Sequence, residues 1–393
     1  MVMGTKKKTA IIAHRGASGY IPEHSLAAYS LAIDMGADYV EPDLVLSKDG
    51  VFFALHDLLL DDTTNILDFP QYLDRLKTRL VEGRNYTGYF VNDFDSQELK
   101  LLNLKQRLPK TRSVIFDDHF RIPTLTEIFD LMNNYSRLNR NKVGLYIELK
   151  HPLYYRDLGF LMDDMILQSL ADARYSTINI DQSLSNTISP IVLQCFIPET
   201  LIALRSKCDL PLVQLIGISE KQNIDDIWNI PTLDLIKEYA NGIGPPLNIF
   251  TDTKVDYELA ISMIDQATHR NLVVHPYALK SDEEMTSFNS RYHGNSTRET
   301  LFFVCCLNVH GIFTDYTDRT KAAVDLTFHN PQICSDICPS KFSSSLLQIP
   351  SSTTHSRIFE KWELSTILYY LLILLVLFYF RTSIKFNFRA TVY

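Results

Sequence analysis

No stripe of lysine and arginine interleaved with aromatics runs through this chain. Its 393 residues carry a formal net charge of −8, so no basic field is offered to a polyanion, and nucleic acid is excluded as a partner. Cysteine is scarce as well. The six thiols, Cys195, Cys208, Cys305, Cys306, Cys334 and Cys338, lack the paired C-x2-C spacing of a zinc site and read mostly as buried side chains. Cys334 and Cys338 are the exception, because their polar surroundings permit a bond between them in an oxidising compartment. No short internal repeat is present, and no apolar leader follows Met1–Lys8: the chain enters Thr9-Ala-Ile-Ile-Ala-His14, a short β-rich run. Apolar residues are plentiful. At 46% hydrophobic and 21% charged, the chain can bury a sizeable core and is not globally disordered.

Short strand-like runs alternate with helical patterns from residue 9 to about Leu326, the rhythm of a parallel α/β fold. The candidate strands are Thr9–Ala13, Tyr39–Leu46, Val51–Leu55, Gly144–Glu148, Ile191–Phe196, Leu212–Ile216, Leu272–His275 and Gly311–Thr314. Eight strands predict a closed barrel. A polar stretch, Leu58–Arg121, stands after the third candidate where a bare barrel needs only a helix, so it is expected to cover the barrel mouth. Residues 327–363 turn Ser-, Thr- and Pro-rich, as in a flexible stalk.

Titratable residues gather where strands run out. His14-Arg15-Gly16 ends the first strand, offering an imidazole that titrates near neutrality and a guanidinium fork able to grip two phosphoryl oxygens. In Glu41-Pro42-Asp43 the two acids are two apart and share a face, and Pro42, which cannot donate to a ladder, marks a strand end or bulge. His56 closes the third candidate, and Glu148 and Lys150 share a face of the fourth. Taken singly, each group has an ordinary structural explanation. Together they would lie on one rim, since every strand of a parallel barrel ends on the same side. Three carboxylates, Glu41, Asp43 and Glu148, form a hard oxygen site suited to Ca²⁺ or Mg²⁺. Two histidines beside such a site, with Arg15 and Lys150, describe phosphoryl transfer by acid/base catalysis.

The opening run His14-Arg15-Gly16-Ala17-Ser18-Gly19-Tyr20-Ile21-Pro22-Glu23-His24-Ser25 resembles the most specific motif of the glycerophosphodiester phosphodiesterase family. The likeness continues through Glu41-Pro42-Asp43, Ser47-Lys48-Asp49-Gly50, His56-Asp57, Ile122-Pro123-Thr124-Leu125, Glu148-Leu149-Lys150 and Gln194-Cys195-Phe196. It closes at Tyr239–Pro245, His275-Pro276-Tyr277 and Gly311–Asp315, motifs similar to those of the subgroup of the bacterial periplasmic enzymes. This resemblance implies an α/β fold, a (β/α)8 TIM barrel over residues 9–326, with 58–121 as an insertion after strand 3. It further implies His14 and His56 as the acid/base pair, Glu41, Asp43 and Glu148 as ligands of Ca²⁺ or Mg²⁺, and Arg15 and Lys150 as phosphate contacts. The implied substrate is a glycerophosphodiester, whose glycerol hydroxyl attacks phosphorus to give a cyclic phosphate that water opens. His24, His310 and Cys195 depart from the usual Asn, Asp and Ser. A phospholipase D-like activity on lysophospholipids or sphingomyelin is the rival within enzymes, and a catalytically retired, membrane-tethered binding protein the rival outside them.

Leu364–Phe380 is uncharged and almost wholly apolar, and its 17 residues at roughly 1.5 Å each extend about 25 Å, the lower limit for crossing a bilayer core. A single-pass C-terminal transmembrane helix is therefore expected. Trp362, Tyr369, Tyr370 and Tyr379 supply interface anchors, and the short basic tail 381–393, with Arg381, Lys385 and Arg389, points to a cytoplasmic end. That orientation places the barrel on the extracellular or lumenal side, in accord with sequons at Asn85, Asn134 and Asn295. The polar start of the chain argues the opposite, so a tail-anchored protein with a cytosolic barrel stays open.

Overall fold

A computed structural model describes residues 8–138, 142–175, 189–217, 230–251, 257–282, 295–330 and 332–338. The expected transmembrane segment, stalk and tail therefore lie outside the described residues, apart from positions 327–330 and 332–338. Among the described residues no helix is long and apolar enough to cross a membrane.

Eight parallel staves form the barrel. They are β1 (Ala10–His14), β2 with β3 (Tyr39–Glu41 and Asp43–Leu46), β7 (Gly144–Leu149), β8 (Ile191–Cys195), β9 (Leu212–Leu215), β10 (Gly242–Gly244), β11 (Val273–Val274) and β12 (Gly311–Thr314). Pro42 divides the second stave, yet its pairing with β7 stays in register on both sides, Val40 opposite Leu145 and Asp43 opposite Glu148. Between β11 and β12 the ladder is replaced by single bonds: His310 N to Val274 O at 3.2 Å, Phe313 N to Pro276 O at 3.0 Å and Leu279 N to Phe313 O at 2.8 Å. These close the seam.

One expected strand needs correction, and one stave stands where none was expected. Val51–Leu55 is not a stave: β4 (Phe52–Ala54) folds back antiparallel on β3, Leu44 opposite Ala54, as the return arm of a hairpin. The missing stave is Gly242–Gly244, which has almost no side chain with which to declare itself. Neighbouring strands fill its space, and a Cβ on Gly242 would come within 2.4 Å of the Val273 side chain.

Period two then builds the interior in layers. Ile12, Tyr146, Val192, Val213 and Phe313, with Tyr39 against them, pack as an apolar plug inside the barrel. Two residues further along five of those staves, on the same face and nearer the C-terminal rim, come His14, Glu41, Glu148, Gln194 and Asp315. The alternate residues, among them Val40, Leu145, Ile147, Leu193 and Ile312, face outward into the main core with the helices.

In the insertion Phe90, Phe94, Leu99, Leu102 and Leu104 are fully buried as part of the main core, and β5 (Lys77–Val81) and β6 (Arg84–Gly88) form a hairpin. Cysteine usage also differs from expectation. Cys334 and Cys338 do not pair with each other: the bonds are Cys305–Cys334 and Cys306–Cys338, and only Cys195 and Cys208 remain buried thiols.

Candidate active site

The turn after β1 sets the first groups. Arg15 and Gly16 both take positive φ, 59° and 84°, and a Cβ on Gly16 would meet the Ala28 backbone at 2.7 Å, so only glycine fits. This tight turn aims the Arg15 amide at Glu41 Oε2 (2.9 Å) and the guanidinium at Glu23 Oε1 (3.0 Å). His14 lies beside it, Nδ1 at 2.6 Å from Asp315 Oδ1. His56 reaches the rim differently from the parallel staves, being carried there by the return arm of the hairpin, and its Nδ1 lies 2.6 Å from Asp57 Oδ1. Asp315 and Asp57 are both held well below the usual carboxylate range, against the push of burial, by their histidines and by Arg112 and Arg107 respectively. Ionised carboxylates only accept, so each imidazole carries its proton on Nδ1 and turns a bare Nε2 outward. Burial lowers the affinity of both rings for a second proton, assisted at His14 by Arg15 and at His56 by Arg15 and Lys150.

Glu41, Asp43 and Glu148 each offer an oxygen, and the three atoms lie within 4.8 Å of one another, all buried. Lys150 Nζ stands 2.8 Å from Glu148 Oε1 and 4.0 Å from Asp43 Oδ1. Three carboxylates this close cannot all ionise on their own. Burial and the neighbouring charges push Glu41 well up, and burial with the Asp43 charge, opposed by Lys150, raises Glu148 to about 8. Asp43 is held well below its ordinary range, against burial, by Lys150, a bond from His24 and the charge of Arg15. Asp43 Oδ1 and Gln194 Oε1 are buried with no hydrogen-bond partner, while Gln194 Nε2 donates to Glu41 Oε1 at 3.0 Å. Unpartnered hard oxygens within a cluster short of positive charge fit a divalent cation such as Ca²⁺ or Mg²⁺.

All seven residues singled out from sequence thus meet at the C-terminal rim. The groups that hold them were not among the candidates. Arg107, from the insertion, forks onto Glu23 at 2.9 and 2.7 Å and reaches Asp57 at 2.6 Å. Arg112 binds Asp282 at 3.0 and 2.6 Å and Asp315 at 2.5 Å, tying the insertion to the partner of His14. His24 bridges Tyr29 OH (2.8 Å) and Asp43 Oδ2 (3.0 Å). Beyond the rim a cleft of about 600 Å³ runs from His56, Glu148 and Lys150 out to Arg84 and Tyr86 of the insertion's hairpin and to Phe196.

The model of the glycerophosphoryl diester phosphodiesterase family matches residues 14–319. The chain belongs to this family. Glycerophosphodiester phosphodiesterase GDPD6 of Arabidopsis thaliana is 32% identical over 82% of this chain and 87% of its own length. The glycerophosphodiester phosphodiesterase of Haemophilus influenzae is 26% identical over 80% of this chain and 89% of its own. Among solved structures, a phosphodiesterase of Oleispira antarctica in complex with the product sn-glycerol-3-phosphate covers 81% of this chain and 97% of its own, with TM-score 0.53 at 19% identity. That likeness speaks to the fold. With the relatives above, it identifies the chain as a glycerophosphodiester phosphodiesterase built on a nearly closed eight-stranded parallel barrel.

Proposed function

We propose that the chain hydrolyses a glycerophosphodiester to sn-glycerol 3-phosphate and an alcohol, with His14 and His56 as the acid/base pair. One observation carries this reading: two carboxylate-backed imidazoles present free Nε2 atoms on the rim that also holds the acidic cluster and Arg15. Glu41, Asp43 and Glu148 would hold Ca²⁺ or Mg²⁺, which supplies positive charge to the phosphoryl oxygens as negative charge builds on them. Arg15 and Lys150 bind and orient the phosphate. One histidine takes the proton of the glycerol hydroxyl next to the diester, whose oxygen attacks phosphorus. The other enters the step as an imidazolium balanced by its carboxylate and gives its Nε2 proton to the departing alcohol, and a cyclic phosphate forms. Water then opens the ring by the reverse proton transfers. Asp315 and Asp57 keep each imidazole in the tautomer these transfers need.

A second substrate class has an observation in its favour. Phe196 lines the catalytic cleft and also an apolar groove of about 890 Å³ with Pro198, Ile202, Leu215, Ile216 and Leu235, a surface suited to the acyl chain of a lysophospholipid. A membrane tether through Leu364–Phe380 would bring the barrel to such lipids.

The test is turnover of glycerophosphocholine by the full chain, read as sn-glycerol 3-phosphate, beside release of choline from lysophosphatidylcholine. Chelator should abolish the rate and added divalent cation restore it. His14→Ala and His56→Ala should each lower kcat by roughly 10²- to 10⁴-fold, the usual contribution of a positioned acid or base, with the fold kept. A rate indifferent to chelator removes the metal from the reading, and normal turnover in either variant removes the histidine pair. Faster release from the lysophospholipid makes the second class the physiological one.

A further inference from the structure

Two features that the hydrolysis does not use point to one compartment. The first is the pair of disulfides, Cys305–Cys334 and Cys306–Cys338. Cys334 and Cys338 are four apart, at the spacing that puts side chains on one helix face, and they meet the adjacent Cys305 and Cys306 of a short π-helical turn, Phe302–Cys306. Four half-buried thiols thus stand as two closed pairs, a pattern that persists in secreted and lumenal proteins and that reducing cytosol works against.

The second is the exposure of every sequon asparagine. Asn85 sits on β6 between Arg84 and Tyr86, which line the catalytic cleft, and alternation turns its own side chain to the opposite face of the hairpin, where its pair partner Leu80 is 69% exposed. Asn134 lies on the exposed side of helix Leu125–Leu138, away from buried Ile128, Phe129 and Met132. Asn295 caps helix Ser296–Leu301 through its Oδ1, which accepts from Arg298 N at 2.9 Å, so the cap bond does not use the amide nitrogen, the atom a sugar would occupy.

We propose that the barrel matures in an oxidising, glycosylating compartment, where Asn85, Asn134 and Asn295 carry N-linked oligosaccharide and the four cysteines form the double clasp. At each asparagine the amide nitrogen loses a proton and bonds to the anomeric carbon of an activated oligosaccharide donor, whose bond to its phosphate leaving group breaks. Each disulfide forms as two thiols give up two protons and two electrons to a disulfide oxidant, which leaves as a dithiol. The catalytic cleft stays open, because none of the three asparagines faces it.

The experiment expresses the full chain in cells with a secretory pathway and lyses them in a thiol-trapping reagent. Deglycosylation should move the band, and Asn85→Gln, Asn134→Gln and Asn295→Gln should each remove one step of the ladder. Thr87→Ala, Ser136→Ala and Thr297→Ala should do the same while keeping the asparagine. Peptide mapping without reductant should recover 305–334 and 306–338 as linked pairs, and turnover of Asn85→Gln should equal that of the parent. A band that deglycosylation leaves unmoved, or four trapped free thiols, overturns the proposal, and a shift from only some sites overturns it for the silent ones. Gel mobility and linked peptides do not depend on turnover, so failure of the hydrolysis reading would leave this result standing.

Discussion

Glu299 is a buried carboxyl away from the catalytic rim, 8% exposed, and burial raises it to about 7. The sign follows from linkage. The folded chain holds a proton here that the unfolded chain releases near the model carboxylate value of 4.5, so stability falls as pH rises from that value through about 7. Glu299→Gln should therefore raise the melting temperature at pH 8, by an amount corresponding to roughly 1–3 kcal/mol, and change little at pH 4.5. A gain of equal size at both values would mean that the carboxyl is not held neutral. Single residues also differ in how plainly sequence announces them. His14, Glu41, Asp43, Glu148 and Lys150 could be read because period two fixes which side chains share a face and because parallel strands end together. Asp315 follows β12 by the same logic, yet in sequence it is only the last residue of the motif Gly311–Asp315. Arg107 and Arg112 could not be found in this way: they stand in irregular backbone, and their partners Glu23, Asp57, Asp282 and Asp315 are between 50 and 203 positions away.

The elements were legible where the pattern had a period and ambiguous where it had only composition. Val51–Leu55 is a genuine strand, but an apolar run does not say whether it pairs parallel or antiparallel. The discriminating signal was the short turn before it, Ser47–Gly50, in which Gly50 takes φ 79° and Val51 N bonds back to Ser47 Oγ at 2.9 Å. Gly242–Gly244 has only Ile243 of the β-branched and aromatic residues by which strands are recognised, and two glycines around it hide the signal. The disulfide partners were hidden for a related reason. Spacing brings Cys334 and Cys338 onto one helix face, and only the tertiary fold brings Cys305 and Cys306 against them. Closed loops with separations of 29 and 32 residues would each stabilise by about 3–4 kcal/mol on loop entropy alone, and less in combination because the loops overlap. Cys305→Ser with Cys306→Ser should lower the melting temperature by several degrees, and reductant should do the same to the parent but nothing further to the variant. Equal melting of parent and variant without reductant would show that the clasp does not brace the barrel.

At the scale of the whole molecule, the apolar run Leu364–Phe380 lies outside the described residues, and its expected role is settled by fractionation. The full chain should pellet with membranes and stay there through carbonate extraction, whereas removal of 364–393 should release it. Release of the intact chain by carbonate would leave a peripheral protein. The clasp has a topological consequence. The chain between Cys306 and Cys334 contains β12 and the helix after it, and both flanks are bolted to each other. A protease that cuts inside this stretch makes two fragments that still travel as one particle, catalytic barrel included. If 364–380 holds the chain to a membrane, only a cut beyond Cys338 would shed the barrel as a free enzyme.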